Sequence, residues 1–343
     1  MKIRDEQFYK SIRDFLDVYL LKQKNFSPNT KRAYKIALSQ FLDFLKEEYG
    51  LLYSQIGFEQ MNYDNICGYL AWLEKTRHCS IQTINQRLMA IRSFAKYVSI
   101  VDPAKIYFQV QLSNVPHKKV ALKVVKHLSE SVLKCLFKQP DISKSNGRRD
   151  QFFMLLMYDT AARCQELLDL KIGDIYLGKD APFITLTGKG NKTRRVPIST
   201  KIVEHFIKYL NFFHPIEKRS DNGYVFYTTI HGINNQMSPD TVAAFMKIYA
   251  KRSKSECPET PDRVYPHLLR HSRAMNLYRN GMPLVLLSEF LGHADVNTTR
   301  IYAWSDIEMK RAAIEKISTE TESNITPIWQ NDEDMIKRLY GLS

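Results

Sequence analysis

The sequence has no apolar run long enough to cross a membrane, because none reaches the ~18 residues that a transmembrane helix needs. Its N-terminus also lacks the apolar stretch of a secretory signal peptide. Cysteine is scarce: five are scattered along 343 residues, and none forms a Cys-x-x-Cys pair. An odd number without metal-ligand spacing indicates reduced thiols, so we expect a cytoplasmic protein without membrane contact.

Two kinds of phosphate chemistry are also missing from the sequence. There is no glycine-rich nucleotide loop, since Gly188-Lys189-Gly190 has neither the required spacing nor the following Ser or Thr. There is no cluster of Asp and Glu of the kind that metal-dependent phosphodiester cleavage uses. We therefore expect neither a nucleotide cofactor nor a catalytic metal.

What the chain has in excess is positive charge, with a formal net charge of +14 and a pI near 9.4. Such a balance predicts attraction to a polyanion. A ribosome or an acidic membrane surface would attract it as well as DNA, so charge alone indicates only a class of partner. The length exceeds that of one typical core and favours two domains.

Helical periodicity runs through residues 8–99 and predicts a small bundle of four helices. Ser27 and Ser80 stand where helix N-caps are expected, and Pro28 stands at a first helical position. The periodicity stops from Asp102 to about Lys126, which predicts an extended linker. The expected boundaries are a helical domain at 1–102, a linker at 103–126, a second domain at 127–317 and a tail at 318–343.

The second domain is expected to be mainly helical with a small antiparallel sheet. Residues 183–187 and 194–198 flank a Gly-Lys-Gly-Asn turn and predict a β-hairpin, the only convincing strands in the sequence. The tail predicts a short amphipathic helix that begins with acidic residues and ends with Lys337 and Arg338, an order that suits the helix dipole. Its apolar residues are Ile328, Trp329, Met335, Ile336, Leu339 and Tyr340.

Six side chains able to bind and attack a phosphodiester are spread through the second domain. In chain order they are Arg163, Lys189, His267, Arg270, His293 and Tyr302. Arginines can neutralise phosphate oxygens, histidines and lysine can move protons, and a tyrosine can act as the nucleophile. Pro266 marks a helix start, so His267 and Arg270 share one face of its first turn. Gly292 is expected to end another helix just before His293.

The motifs around these residues resemble those of the tyrosine recombinase (phage integrase) family over roughly residues 8–310. They read Thr160-Ala161-Ala162-Arg163, Gly188-Lys189-Gly190, His267-Leu268-Leu269-Arg270-His271 and Leu291-Gly292-His293, followed by Tyr302. The resemblance implies that Tyr302 attacks the scissile phosphorus, giving a 3′-phosphotyrosine and a free 5′-hydroxyl. It also implies that Arg163 and Arg270 clamp the non-bridging oxygens. One departure is Ala161, where the family usually has glycine.

Proton transfer has several candidates. The resemblance implies that His267 and His293 transfer protons at the phosphate or hydrogen-bond to it, whereas His271 is interpreted as a supporting or packing residue. It implies that Lys189 protonates the 5′-oxygen leaving group, with Lys192 on the same turn as a competitor. Each residue also has an ordinary alternative: a tyrosine in a helix core, arginines in surface salt bridges, a lysine exposed on a turn. Glu166 is expected either to orient a catalytic group or to be a surface ion-pair partner.

Double-stranded DNA carrying recombination sites is the partner that the resemblance implies. Its layout, a helical core-binding domain and an α+β catalytic domain, grips opposite sides of a duplex. It further implies a tetrameric synapse of four protomers on DNA in a bacterial nucleoid, with or without a partner recombinase or directionality factor. The candidate DNA contacts are Thr83, Gln86, Arg87 and Arg92 in the first domain and Lys192 and Arg194 in the second.

The expected function is site-specific recombination for a mobile element, a transposon or a prophage. One alternative is a DNA-binding paralogue that has lost cleavage, and the intact six-residue set argues against it. Another is a recombinase that resolves chromosome or plasmid dimers. A monomeric enzyme with type IB topoisomerase chemistry is disfavoured by the two-domain layout and by a tail suited to protomer contacts.

Overall fold

The computed structural model describes residues 3–120, 125–178, 180–188, 190–293, 295–305, 311, 314 and 333–342, without the side chains of Lys218, Trp304, Ser305 and Ile336. The chain divides into two compact units, Met1–Leu122 and Lys123–Ser343. Each unit has its own hydrophobic core. Within the described residues, no helix combines the length and the apolar character that crossing a bilayer requires.

The first unit is built from helices. They are α1 (Glu6–Asp14), which continues as a π-helix (Phe15–Gln23), α2 (Pro28–Tyr49), α3 (Tyr63–Lys75), α4 (Ile81–Val101) and α5 (Ile106–Ser113), with 3-10 turns at Tyr53–Gln55, Phe58–Gln60 and Pro103–Lys105. The predicted caps are confirmed, because Ser27 and Ser80 accept hydrogen bonds from the backbone N–H groups of Thr30 and Thr83. The core combines aliphatic with many aromatic side chains, including Phe15 and Phe94, whose ring centroids lie 5.4 Å apart.

The extended linker predicted from residue 102 onward is wrong for its first half. Residues 106–113 form α5, and its Phe108 and Leu112 are buried in the core of the first unit, as is Val115 after it. Arg92 on α4 fixes this segment by donating to the carbonyls of Leu112 (2.8 Å), Ser113 (2.9 Å) and Val115. A short helix that buries so few residues leaves little periodicity for the sequence to show.

The second unit combines helices with two small antiparallel sheets. Its helices are α6 (Glu130–Lys138), α7 (Ser145–Thr160), α8 (Cys164–Leu168), α9 (Thr200–Phe213), α10 (Pro239–Glu256), α11 (Pro266–Arg279), α12 (Leu284–Leu291), α13 (Arg300–Ser305) and α14 (Glu333–Leu339), with 3-10 turns at Ile172–Asp174, Ile216–Lys218 and Val296–Thr298. Its strands are β1 (Ile175–Tyr176), β2 (Phe183–Thr187), β3 (Thr193–Pro197), β4 (Tyr227–Ile230) and β5 (Ile233–Gln236). The chain is thus mainly α with small antiparallel sheets, as predicted.

The sheets confirm one predicted hairpin and add another. In the order β1-β2-β3, Phe183 pairs with Pro197 and Thr187 pairs with Thr193. The β4–β5 hairpin contradicts the expectation that residues 175–198 held the only strands. The two turn residues, His231 and Gly232, both have left-handed backbone conformation. In the sequence, only the glycine indicates such a turn.

The core of the second unit places three helix ends side by side. Helix α7 packs against α9 and α11, and α11 also packs against α12 and α13. The C-terminal end of α7, the start of α11 and the end of α12 therefore lie close together. These are the segments that carry the candidate site residues. In the tail, Glu333–Leu339 is helical, while Ile328 and Trp329 lie outside the described residues.

The placement of α5 predicts that Leu112 contributes to the stability of the first unit. In a fragment of residues 1–122, Leu112→Ala should lower the free energy of unfolding by about 2–5 kcal/mol, because it leaves a cavity in the core. Val110 on the same helix is 55% exposed, so Val110→Ala should cost only about 0.5 kcal/mol. Urea unfolding followed by circular dichroism measures both. Equal effects of the two substitutions would show that α5 is not part of the core.

Candidate active site

The chain reverses direction after α7, and this reversal places Arg163 in the site. Ala161 ends α7 in the left-handed region, with φ +47°, and its side chain is fully buried. Glycine adopts this conformation at less cost, so alanine here carries some backbone strain. The chain then starts α8, whose N-cap residue is Arg163.

Glu166 is buried and binds two arginines. Its carboxylate accepts from the Arg163 backbone N–H (2.8 Å) and from Arg163 Nη1 (2.7 Å), and also from Arg194 Nη1 (2.9 Å) and Nη2 (2.8 Å). Burial alone would raise the pKa of Glu166, but the hydrogen bonds from Arg194 and Arg163 outweigh it and lower the pKa to about 2. The expectation that Glu166 orients a catalytic group fits these contacts.

Arg270 is the most deeply placed cation of the set, at 3% exposure. Its guanidinium donates to the carbonyl oxygens of Ala161 and Leu291, each at 2.6 Å, and so joins the ends of α7 and α12. Burial and then the nearby charge of Arg163 lower its pKa to about 10. Arg270 is still charged at neutral pH, in a setting with more positive than negative groups.

The histidines around the arginines are held in the neutral form. His267 is exposed, but desolvation by the neighbouring protein atoms, followed by the charges of Arg270 and Arg163, still lowers its pKa. Burial and the charge of Arg270 also lower the pKa of His293, to about 4. His293 Nδ1 hydrogen-bonds the Thr299 hydroxyl at 2.8 Å, which fixes the orientation of its ring. An anion that binds beside these arginines and neutral histidines stabilises the site, because it offsets the excess positive charge.

Tyr302 lies on α13 and is 1% exposed. Its hydroxyl forms a hydrogen bond of 2.9 Å with Nδ1 of His271. Burial raises the pKa of Tyr302 to about 12, although the charge of Arg270 acts in the opposite direction. In this state the phenol is protonated and turned inward. The interpretation of His271 as a supporting residue missed this contact; its spacing of four from His267 puts both on one helix face and was the available signal.

A cavity of about 490 Å³ opens beside Arg163 and His293. Its lining includes Arg163, Lys192, Arg194 and His293. Lys189, the preferred candidate for the catalytic lysine, lies outside the described residues, so the choice between Lys189 and Lys192 stays a prediction. Among the described residues, no group of three or more His, Cys, Asp or Glu side chains is placed to hold a metal ion.

The arginines predicted to bind DNA have partners within the protein. Arg87 Nε donates to the Gln40 side chain at 2.8 Å, and Arg92 binds the C-terminal end of α5 and Val115. Arg194 binds Glu166, is 14% exposed, and forms part of the cavity lining. Thr83 lies in the capping turn of α4 and Gln86 is exposed beyond it. DNA contact by these residues stays a prediction.

The arrangement can bind a phosphodiester and attack it. Two arginines with neutral histidines around a cavity suit an anion, and a tyrosine within the same cluster suits nucleophilic attack on its phosphorus. Arg163 Nη2 also donates to the carbonyl of Gly292 at 3.2 Å, which ties the first arginine to the loop of His293. The structure thus brings Arg163, Arg270, His267, His293 and Tyr302 into one region.

Comparisons with known proteins cover both units. The sequence profile of the "Phage integrase family" matches residues 126–309, and that of "Phage integrase, N-terminal SAM-like domain" matches residues 12–99. Solved structures of similar fold include XerH recombinase bound to its difH substrate (20% identity, TM-score 0.62, covering 94% of this chain and 90% of that one). The Tn1549 transposon integrase with transposon right end DNA is another (15% identity, TM-score 0.66, covering 90% and 99%).

Curated relatives extend over nearly the whole length. "Tyrosine recombinase XerA" of Pyrococcus horikoshii is 31% identical, covering 92% of this chain and 96% of that protein. "Tyrosine recombinase XerD" of Listeria monocytogenes is 30% identical, covering 85% and 92%. "Putative integrase/recombinase y4rC" of Sinorhizobium fredii is 29% identical, covering 94% and 95%. With more than half of the chain matched by the family profile, the protein belongs to the phage integrase family of tyrosine recombinases, enzymes that cleave and rejoin DNA strands.

Proposed function

We propose that this protein is a site-specific recombinase that cleaves DNA through a 3′-phosphotyrosine at Tyr302. The observation that carries the proposal is that contacts and charge interactions connect Arg163, Arg270, His267, His293 and Tyr302, and that Arg163 and His293 line a cavity. Their residue types supply charge neutralisation, proton transfer and a nucleophile within one unit of the chain.

The arginines stabilise the pentacoordinate transition state. Arg163 is 33% exposed, so its guanidinium can reach a phosphate in the cavity. Arg270 lies deeper and holds its carbonyl partners in place, so its fixed charge is ready before the substrate arrives. The transition state carries more negative charge than the diester, and preorganised guanidinium groups favour it over the ground state.

Activation of Tyr302 depends on the incoming phosphate. Without an anion, the neutral His271 leaves the proton on the phenol. A phosphate beside Arg270 and His267 adds negative charge, which raises the pKa of the neighbouring histidines and makes them better proton acceptors. The phenol passes its proton to Nδ1 of His271 as its oxygen bonds to phosphorus, the bond from phosphorus to the 5′-oxygen breaks, and Lys189 or Lys192 protonates that departing oxygen. Energy stored in the phosphotyrosine bond allows religation without a nucleotide.

The biological role we favour is recombination of a mobile element, a transposon or a prophage. The similarity in fold to the Tn1549 transposon integrase supports it. Resolution of chromosome or plasmid dimers is the second candidate, because sequence identity is highest among the relatives cited here for a Xer recombinase. Terminal repeats or attachment sites in the DNA beside the gene distinguish the two. On either role, four protomers form the synapse, with the C-terminal tail in contact with a neighbouring protomer.

Tyr302→Phe should abolish covalent attachment to DNA. The probe is a pool of short duplexes tiling the DNA on both sides of the gene, each nicked near a potential cleavage position so that the released fragment diffuses away. Wild-type protein should form an adduct on denaturing gels in EDTA, and the variant none. Its DNA affinity should be unchanged, because phosphate charge dominates affinity. Tyr278→Phe, in the same hydrophobic cluster, should behave as wild type. Adduct formation by Tyr302→Phe would remove Tyr302 from the role of nucleophile.

Arg270→Lys should slow cleavage by roughly 10²-fold or more, the usual cost of losing one transition-state donor. Lysine keeps the charge but cannot span the two carbonyls that the guanidinium joins. The rate of adduct formation at saturating protein is measured beside DNA affinity at fixed salt, and affinity should change far less. Arg252→Lys, on the exposed side of α10, is the matched control. A normal cleavage rate would make Arg270 a structural residue.

A further inference from the structure

Arg194 behaves unlike its neighbour on the same strand. Arg195 is exposed and lies over the ring of Phe183, with 4.9 Å between its Cζ and the ring centroid. The side chain of Arg194 points to the other face of β3 and is 14% exposed. An arginine that only attracted DNA would gain nothing from this partial burial, which costs solvation of its charge.

The guanidinium of Arg194 joins three segments of the site. It binds Glu166 on α8 with both Nη atoms, and its Nε donates to the carbonyl of Phe290 on α12 at 3.1 Å. Arg194 itself lies on β3, the second strand of the β2–β3 hairpin. The candidate lysines belong to the turn of that hairpin. Gly292 is needed for this approach, since a Cβ there would lie 2.8 Å from Arg194 Nη1.

The charges in this group explain why a second arginine is present. If Arg163 were the only partner of Glu166, the two would form a neutral pair. No net positive charge would then remain to bind a phosphate. With Arg194 bound to both carboxylate oxygens, the group of Arg163, Glu166 and Arg194 carries a net charge of +1. Both arginines line the cavity, and Arg163 is the more exposed of the two, so it is the one better placed to bind a phosphate there.

We propose that Arg194 is a positioning residue of the cleavage reaction, which neutralises Glu166 so that the charge of Arg163 remains available to the phosphate. Its bond to Phe290 also holds the loop of His293 against the hairpin. The proposal rests on the proposed function and replaces the expectation that Arg194 contacts DNA directly. It assigns to Arg194 no contact with the reacting atoms.

The proposal predicts that Arg194→Met slows adduct formation by about tenfold to a hundredfold at saturating protein, the scale of a small displacement in an active site. The substrate is the nicked duplex on which wild-type protein forms its adduct. Arg195→Met removes the same charge from the next residue and is the matched control. Both variants should lose the same amount of DNA affinity, and only Arg194→Met should lose cleavage rate.

Charge restoration separates this role from a merely structural one. Glu166→Gln combined with Arg194→Met returns the group to a net charge of +1, so the double variant should cleave faster than Arg194→Met alone. A loss of packing would not be repaired by a second substitution in the same cluster. Thermal unfolding of every variant identifies any that fail to fold. If Arg194→Met is one of them, Arg194→Lys, which keeps the charge, should cleave at close to the wild-type rate, and a tenfold or larger loss in folded Arg194→Lys would overturn the inference.

Two results would overturn the inference while leaving the proposed function intact: equal cleavage by Arg194→Met and Arg195→Met, or a folded double variant no faster than Arg194→Met. A loss of cleavage by Arg194→Met that appears only below saturating protein would return Arg194 to the role of a DNA contact. Absence of an adduct with wild-type protein on every duplex of the pool would instead reject the proposed function, and the inference with it.

Discussion

The carboxylate of Glu166 is the interaction on which the active site depends. Bringing arginines together in a partly buried region is unfavourable, because each loses solvation and repels the others. Glu166 offsets this cost by accepting from Arg163 and Arg194, while Arg270 is satisfied by backbone carbonyls. One negative charge is too few for three positive ones. The excess leaves a site that a phosphate diester can complete.

Much of the fold follows from local signals in the sequence. Pro266 starts α11 and Gly292 ends α12 in the left-handed region, so spacing alone placed His267, Arg270 and His293 near helix ends. Helix α5 was missed because it buries only a few residues, and prolines and basic residues around it favour a linker. Whether such a segment folds onto a core depends on long-range packing, which periodicity does not record.

The site shows the same division between local and long-range information. The motif residues could be named from the sequence, but the partners that control them could not. Arg195, the residue after Arg194 on β3, is exposed. Side chains alternate between the two faces of a strand, and the sequence does not show which of the two arginines faces the protein interior. His271 reaches Tyr302 across 31 positions of the chain. The burial of Tyr302, which raises its pKa to about 12, likewise depends on the packing of α13 against α11 and could not be predicted from the sequence.

The account predicts that Tyr302 itself becomes linked to a 3′-phosphate. Wild-type protein is trapped on the nicked duplex in EDTA, the DNA is digested to its last nucleotide, and the protein is cut with trypsin. Mass spectrometry should then place one nucleotide phosphate on the peptide that follows Arg300, with fragment ions that assign it to Tyr302. A linkage at another residue, a 5′-phosphate linkage, or an adduct that forms only when a divalent metal is supplied would contradict the account.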